Sequence, residues 1–310
     1  GVSKEELAGI LYDSVNNKIK PLSDEILVYP GHGAGSACGK NMMKETVDTL
    51  SNQKNINYAI NGSLSRDVFI NELTNDLPEP PAYFPSNVKL NLEGYLDCDV
   101  VLQKSLYPLN IKEFKSLLKN DEIVILDVRN QDVFSSGFIP RSIFIGLKGP
   151  FAPWVGSILK NIHTKILLVC ENGKETETIT RLSRVGFDNV LGYLDGGFDS
   201  WKKSNEEIDF INSISPNDLN ELINSEINLI DVRTKNEREN GFLKESVNIP
   251  LNIIDSKVEK LDKSKKYYIH CAGGYRSMIA CSILKRMGFD SLFDIKGGFA
   301  KIRKSELDIV

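Results

Sequence analysis

The chain has 310 residues, 41% hydrophobic and 26% charged, with a formal net charge of −4, the proportions of a globular protein of two or three domains. That balance gives no electrostatic basis for binding nucleic acid or an anionic membrane, and no apolar run approaches the ~20 residues needed to span a bilayer. Five cysteines (Cys38, Cys98, Cys170, Cys271, Cys281) without a C-x-x-C pair fit reduced thiols in a cytoplasm, and three histidines (His32, His163, His270) are too few for a His-rich metal centre.

Residues 1–15, "GVSKEELAGILYDSV", predict an amphipathic helix, because charges interrupt any apolar core of a signal peptide. "EILVYPGHGAGSACGK" (25–40) predicts a strand, a glycine-rich loop and a helix. It is not a phosphate loop: Lys40 precedes Asn41, where G-x-x-x-x-G-K-[ST] needs a hydroxyl for magnesium. "LPEPPAYFP" (77–85) is too rich in proline for a helix or central strand and is expected to wrap a surface. Domain boundaries are expected near 95–108 and 204–214.

The rest of the chain is an internal repeat. "IVILDVR" (123–129) matches "INLIDVR" (227–233), and "GFIPRSIFI" (137–145) matches "GFLKESVNI" (241–249). "KILLVC" (165–170) pairs with "KYYIHC" (266–271), and "YLDGGF" (193–198) with "DIKGGF" (294–299). The distance from cysteine to Gly-Gly is 26 residues in both copies. Each copy is of domain size, so this is a duplication rather than a solenoid. Short β-branched runs alternate with helical patterns, among them 277–288 with Ile279, Ile283, Leu284 and Met287 on one face and Gly288 as a stop. Such alternation predicts an α/β fold with helix-flanked parallel sheets, whose chemistry lies at the carboxyl ends of strands. Cys170 and Cys271 both end strands.

The loop after Cys271 runs "CAGGYRS" into a helix, and three of its features favour a thiolate. A helix N-terminus stabilises negative charge. Gly273 and Gly274 let the backbone curl so that successive amides point inward. Arg276 adds a cation at the rim, and Ser277 is placed to cap the helix. The other reading is a buried strand-end thiol beside a solvated arginine.

The ordered set "IDVR", "GFLKESVNIP", "YYIHCAGGYRS" and "GFDSLFDIKGGF", over about residues 212–305, resembles a rhodanese-homology domain. That family's C-x-x-G-x-R-S motif is here Cys271, Gly274, Arg276 and Ser277. The resemblance implies that Cys271 carries a persulfide. It also implies that the amides of Ala272, Gly273, Gly274, Tyr275, Arg276 and Ser277 form a cradle, and that Arg276 supports the loop and attracts anionic donors. A related phosphatase type uses C-x5-R, but only four residues separate Cys271 from Arg276, which suits sulfur transfer better.

The first copy keeps "LDVR", "GFIP" and "DGGF" but its loop reads "VCENGKET". Counting from Cys170 sets Glu175 against Arg276, whereas counting back from the shared "GFD" sets Val169 against Cys271, so the register stays open by one residue. On either count Glu171, Glu175 and Glu177 bring acidic charge, which raises a thiol pKa and repels anionic donors. This copy reads as a non-catalytic rhodanese fold.

Residues 1–95, through Pro-Gly-His-Gly, "GSACGK", "NYAINGSLSRDVFINELT" and "PEPPAYFP", resemble the closing part of a metallo-β-lactamase-fold domain of the kind found in persulfide dioxygenases fused to rhodanese domains. Those enzymes hold iron with two histidines and an aspartate. The H-x-H-x-D-H cluster is absent, so this chain is expected to be the C-terminal portion of a longer protein. Fe(II) belongs to that parent, and no metal ligands are assigned here. His32 is expected to be structural or to support a ligand from behind, and Cys38 is either reactive or a packed thiol.

The expected organisation is 1–100 as the metallo-β-lactamase-like portion (an α+β sandwich), 106–205 as a degenerate rhodanese-like domain and 212–310 as a catalytic one. The expected activity is sulfur transfer through Cys271 between thiosulfate or small persulfides and sulfite or thiol acceptors, in a cytoplasmic protein open to homo-oligomerisation. No nucleic acid or membrane partner is expected. The rival reading is a non-catalytic binding or sulfide-sensing module.

Overall fold

A computed structural model describes residues 2–31, 44–75, 84–222 and 227–310. The chain divides into two units, residues 1–80 and 81–310.

In the first unit a helix spans Lys4–Ser14 and opens with a reciprocal cap: the Ser3 hydroxyl accepts the Glu6 amide while the Glu6 carboxylate accepts the Ser3 amide. It packs on the helix Arg66–Thr74, with Tyr12 and Phe69 edge to face at 5.2 Å. The inward side is the small one. Ala8 and Val15 are buried, and the Arg66 guanidinium lies where a Cβ on Gly9 would stand. Leu7, Ile10 and Leu11 stay about half exposed. Strand β1 (Leu27–Val28) pairs antiparallel with β2 (Asp48–Thr49). The glycine-rich loop with His32 and Cys38 lies outside the described residues.

Among the described residues the second unit opens with a helix at Phe84–Glu93, which takes in the last two residues of the proline-rich stretch, contrary to the expectation for those two; residues 77–83 lie outside the described residues. Pro85 sits in the first turn, where its missing N–H has no intrahelical partner to lose. The helix Cys98–Ser105 lays Val101 into the core of the first repeat copy.

Both copies have the same five-stranded parallel sheet. In the first, strands β3 (Pro108–Leu109), β4 (Val124–Asp127), β5 (Ile143–Phe144), β6 (Ile166–Val169) and β7 (Val190–Leu194) run in the order β3-β7-β6-β4-β5. In the second, β8 (Asn212–Ile214), β9 (Asn228–Asp231), β10 (Val247–Asn248), β11 (Tyr267–His270) and β12 (Leu292–Ile295) run β8-β12-β11-β9-β10. The central strands β6 and β11 are buried at every residue, as expected of a sheet covered on both faces. Ile166, Leu168 and Cys170 enter one core layer, Leu167 and Val169 the other.

The repeated motifs meet in space. Arg129 holds Asp127 with contacts of 2.6–3.0 Å, donates to the Gly137 carbonyl at 2.8 Å and lies over the Phe198 ring. Arg233 does the same with Asp231, the Gly241 carbonyl at 3.0 Å and the Phe299 ring. Asp-Val-Arg, Gly-Phe and Gly-Gly-Phe are thus one buried ionic clamp built twice.

The two copies share a core. Phe134, Phe138 and Phe144 of the first pack with Ile279, Ile283 and Leu284 on the second copy's helix Tyr275–Arg286. The Phe144 amide donates to Ser282 Oγ at 3.0 Å, and Lys285 pairs with Asp209 at 2.8 Å. That helix ends at Arg286, with Gly288 left-handed just beyond, where the spacing of the apolar face sets the stop.

Candidate active site

Cys271 follows β11 directly and is 1% exposed. Its side chain shares a sheet face with Tyr267 and Ile269. The strand, loop and helix geometry sets the thiol at the N-terminal end of a 12-residue helix, where unpaired amides gather. The Gly274 amide donates to Cys271 Sγ at 3.1 Å. Gly274 has φ of +104°, a conformation that other residues reach only with strain, so the amide's aim depends on glycine. Ser277 Oγ is 3.6 Å from the sulfur and donates to the Gly274 carbonyl at 3.0 Å.

Two placements differ from expectation. Ser277 is buried inside the first helical turn, and Gly274 holds the cap position instead. The chain turns into the helix sooner than the Ser277 spacing suggests, because Gly274 supplies the left-handed turn. Arg276 is not a free cation at the rim: its two terminal nitrogens hold the Glu237 carboxylate at 2.7 and 2.6 Å. Glu237 is itself fixed by the Thr234 cap, and the Arg276 hydrogen bonds, against burial, hold its carboxyl down at about 2. The guanidinium still acts electrostatically with Cys271.

Behind the loop, the Gly-Gly-Phe segment latches the cysteine. The Phe299 amide donates to the Cys271 carbonyl at 2.7 Å and the Ala300 amide to that of Ala272 at 3.0 Å. Gly298 has φ of +55°, and a Cβ there would stand 2.4 Å from the Cys271 carbonyl oxygen. The equal cysteine-to-glycine spacing in the two copies is the signal for this contact. His270 faces away, stacked on Phe299, its Nδ1 3.8 Å from Asp231; burial pushes it down to about 4, so it is neutral at neutral pH.

The first copy also reaches the loop. Tyr275 Oη donates to the Gly146 carbonyl at 2.7 Å, and its ring lies edge-on to Phe144. A Cβ on Gly149 would fall 2.4 Å from that ring. Nothing in the sequence signalled these contacts, because they join residues more than a hundred positions apart.

The strand register resolves the alignment left open above. Asp127 pairs with Val169 and Asp231 with His270, so Cys170 corresponds to Cys271. A Cβ on Gly197 would crowd the Cys170 carbonyl as one on Gly298 crowds that of Cys271. The loops then part. The Gly173 amide, in the place of Gly274, donates to Glu175 Oε1 at 3.1 Å instead of to the cysteine sulfur. Burial pushes the Cys170 thiol up to about 12, helped by Glu175, Asp127 and Glu171.

Residues 110–204 and 215–305 each match the Rhodanese-like domain family. The chain belongs to that family. YtwF of Bacillus subtilis is 39% identical over 90 residues, covering 28% of this chain and 86% of that protein. A protein named sulfurtransferase from Allochromatium vinosum is 26% identical over 102 residues, covering 32% of this chain and 95% of that one. A solved metallo-β-lactamase from Staphylococcus aureus is 28% identical with a TM-score of 0.47, covering 60% of this chain and 49% of that one.

His163 is exposed on a loop and His270 is sealed under the second sheet, and among the described residues no three His, Cys, Asp or Glu side chains gather as a metal site. Among the described residues no helix is long and apolar enough to cross a membrane.

Proposed function

We propose that the second rhodanese-like copy is a sulfurtransferase in which Cys271 carries sulfane sulfur between thiosulfate or small persulfides and sulfite or thiol acceptors. The carrying observation is the Gly274 amide aimed at Cys271 Sγ at 3.1 Å. The thiolate attacks the outer sulfur of the donor. One S–S bond forms to Sγ as the donor's own bond to that sulfur breaks, and sulfite or a thiolate leaves with the electron pair. The acceptor then attacks the outer sulfur of the Cys271 persulfide and returns the thiolate, a two-step exchange with a covalent intermediate. The loop amide and helix N-terminus hold negative charge on either sulfur. The name of the Allochromatium vinosum relative supports the same reaction class.

The first copy, its cradle amide taken by Glu175, serves as a non-catalytic partner packed on the active helix. A purely binding or sensing role fits that copy better than the second, where Gly274 addresses the thiol. In the longer protein implied by the resemblance of residues 1–95, sulfur transfer would be coupled to an iron-dependent persulfide dioxygenase in sulfide detoxification in the cytoplasm.

The test is incubation with thiosulfate or glutathione persulfide, followed by peptide mass spectrometry. A one-sulfur gain on Cys271 that sulfite removes supports the reading. No gain there, or undiminished transfer by Cys271→Ser, overturns it.

A further inference from the structure

The first copy meets the active loop at a second place besides the Tyr275 anchor. Gln131 opens the helix Gln131–Ser136, which packs on the active helix Tyr275–Arg286. Its backbone is fixed from both sides: the Asn130 side chain accepts the Asp132 amide at 2.9 Å, and Phe134 stacks on Phe138 in the shared core. The Gln131 side chain is half-buried, and its carboxamide makes no hydrogen bond among the described residues. Two amide protons are therefore held in a set place without an acceptor from the protein.

That carboxamide lies against the glycine that addresses the sulfur. A Cβ on Gly274 would stand 3.5 Å from Gln131 Nε2 and 3.7 Å from the Gly297 nitrogen. Gly274 is the residue whose amide donates to Cys271 Sγ at 3.1 Å. The Gly297 amide also has no acceptor among the described residues. Around Gly173, the matching glycine of the first copy, nothing comes within 4 Å of the same position. The approach thus accompanies the loop that addresses its cysteine and is missing from the loop that does not. Charges beside this corner offset one another. Asp132 follows Gln131 and Lys296 precedes Gly297, and the two act with opposite sign on the buried Asp294. The Glu237 carboxylate is already held by Arg276. What the corner offers a ligand is neutral hydrogen-bond donors.

We propose that Gln131 is a specificity residue of the Cys271 site, its carboxamide donating to a sulfonate oxygen of a thiosulfate-type donor. The inference rests on the sulfurtransferase reading and names the donor class that the site favours. As Cys271 Sγ bonds the donor's outer sulfur, the donor's own S–S bond breaks and sulfite leaves with the electron pair. Charge gathers on the sulfite oxygens, where the Gln131 N–H, with the Gly297 amide beside it, stabilises it. Gln131 gains and loses no proton. A small persulfide such as glutathione persulfide releases a thiolate, which carries no oxygen on the departing sulfur and gains nothing from this contact. The copy without a working loop thus selects the donor for the copy that has one.

The experiment compares two ratios in the full chain, for wild type, for Q131M, which keeps the length of the side chain, and for Q131E. The first is kcat/KM for thiosulfate over that for glutathione persulfide. The second is the rate of Cys271 alkylation by iodoacetate over that by iodoacetamide, read by peptide mass spectrometry. Iodoacetate, like thiosulfate, carries its anionic oxygens one atom beyond the atom attacked. Both ratios are expected to fall about tenfold in Q131M and further in Q131E, whose carboxylate repels the anion. Either ratio within about twofold of wild type in both variants overturns the proposal. So do alkylation rates that rise or fall together for the two reagents, as removing a cover or loosening the packing would produce. If Q131M does not fold, Q131E reads the same contact. Alkylation needs no sulfur donor, so a wild type that takes sulfur from neither compound refutes the sulfurtransferase reading, and the alkylation ratio alone then decides the oxyanion contact.

Discussion

Gly274 and Gly173 occupy the same place in two copies of one fold, three residues after a strand-end cysteine, and their amides have opposite partners. That of Gly274 donates to the Cys271 sulfur, and that of Gly173 to the Glu175 carboxylate, each at 3.1 Å. Glu175 thus supplies its own loop with the anion that the other loop reserves for its thiol.

Cys170 is expected to be inert for two reasons of unequal weight. Burial comes first and the carboxylates second in pushing its thiol up to about 12. E175Q removes the lesser cause, so Cys170 alkylation at pH ~9 stays at least about tenfold slower than that of Cys271. Quantitative alkylation of both peptides measures it. Labelling of Cys170 in E175Q at the Cys271 rate would mean that charge, not burial, silences the first copy.

The Arg276–Glu237 pair has a pH window that follows from its sign. Glu237 titrates lower folded than unfolded, so its stabilisation is full above the ordinary carboxylate range and is lost as pH falls toward about 2. Thermal melts should show wild type losing its advantage over E237Q between pH ~4.5 and ~2. R276Q is expected to lower kcat/KM about tenfold at neutral pH, since Glu237 is left unmatched beside the loop. An unchanged kcat/KM in R276Q would show that the pair does not hold the loop in its working form.

The ionic clamps carry stability rather than chemistry. Arg233 and Asp231 are both nearly inaccessible, so D231N strands a buried guanidinium and should cost about 3–5 kcal/mol. Urea unfolding gives the number. A loss under about 1 kcal/mol would mean that the Gly241 carbonyl and the Phe299 ring hold the arginine alone.

Gly149 belongs to the copy without the working loop, yet its replacement is expected to reach the other copy. A Cβ there collides with the Tyr275 ring, whose hydroxyl anchors the loop to Gly146. G149A should therefore reduce sulfur transfer by Cys271, and Y275F should cost about 1–2 kcal/mol by leaving the Gly146 carbonyl without its donor. Wild-type transfer rates in G149A would show that the loop does not depend on its neighbour.

Much of this was legible along the chain. The twin repeats, the parallel sheets and a helix over 277–288, observed at Tyr275–Arg286, follow from local periodicity and from glycine at turns, which depend on neighbours in sequence. The contrast between "CAGGYRS" and "CENGKET" was legible for the same reason. The sequence around Arg276 does not show its pairing, because its partner, Glu237, lies 39 residues away on another helix. The equal cysteine-to-glycine spacing marks Gly-Gly-Phe in both copies, but the carbonyls it latches, those of Cys271 and Ala272, are fixed only by the packing of β12 beside β11.

By itself, then, the sequence determined a duplicated α/β protein with one glycine-rich cysteine loop and one acidic replica. Hydrophobic period, loop composition and left-handed glycines are local properties of the chain. The packing of distant segments settles which cysteine matches which, that Arg276 is held by Glu237, and that the first copy braces Tyr275. Those relations depend on strand register and on the packing of distant segments, and burial there, not residue type, sets how a carboxyl or a thiol behaves.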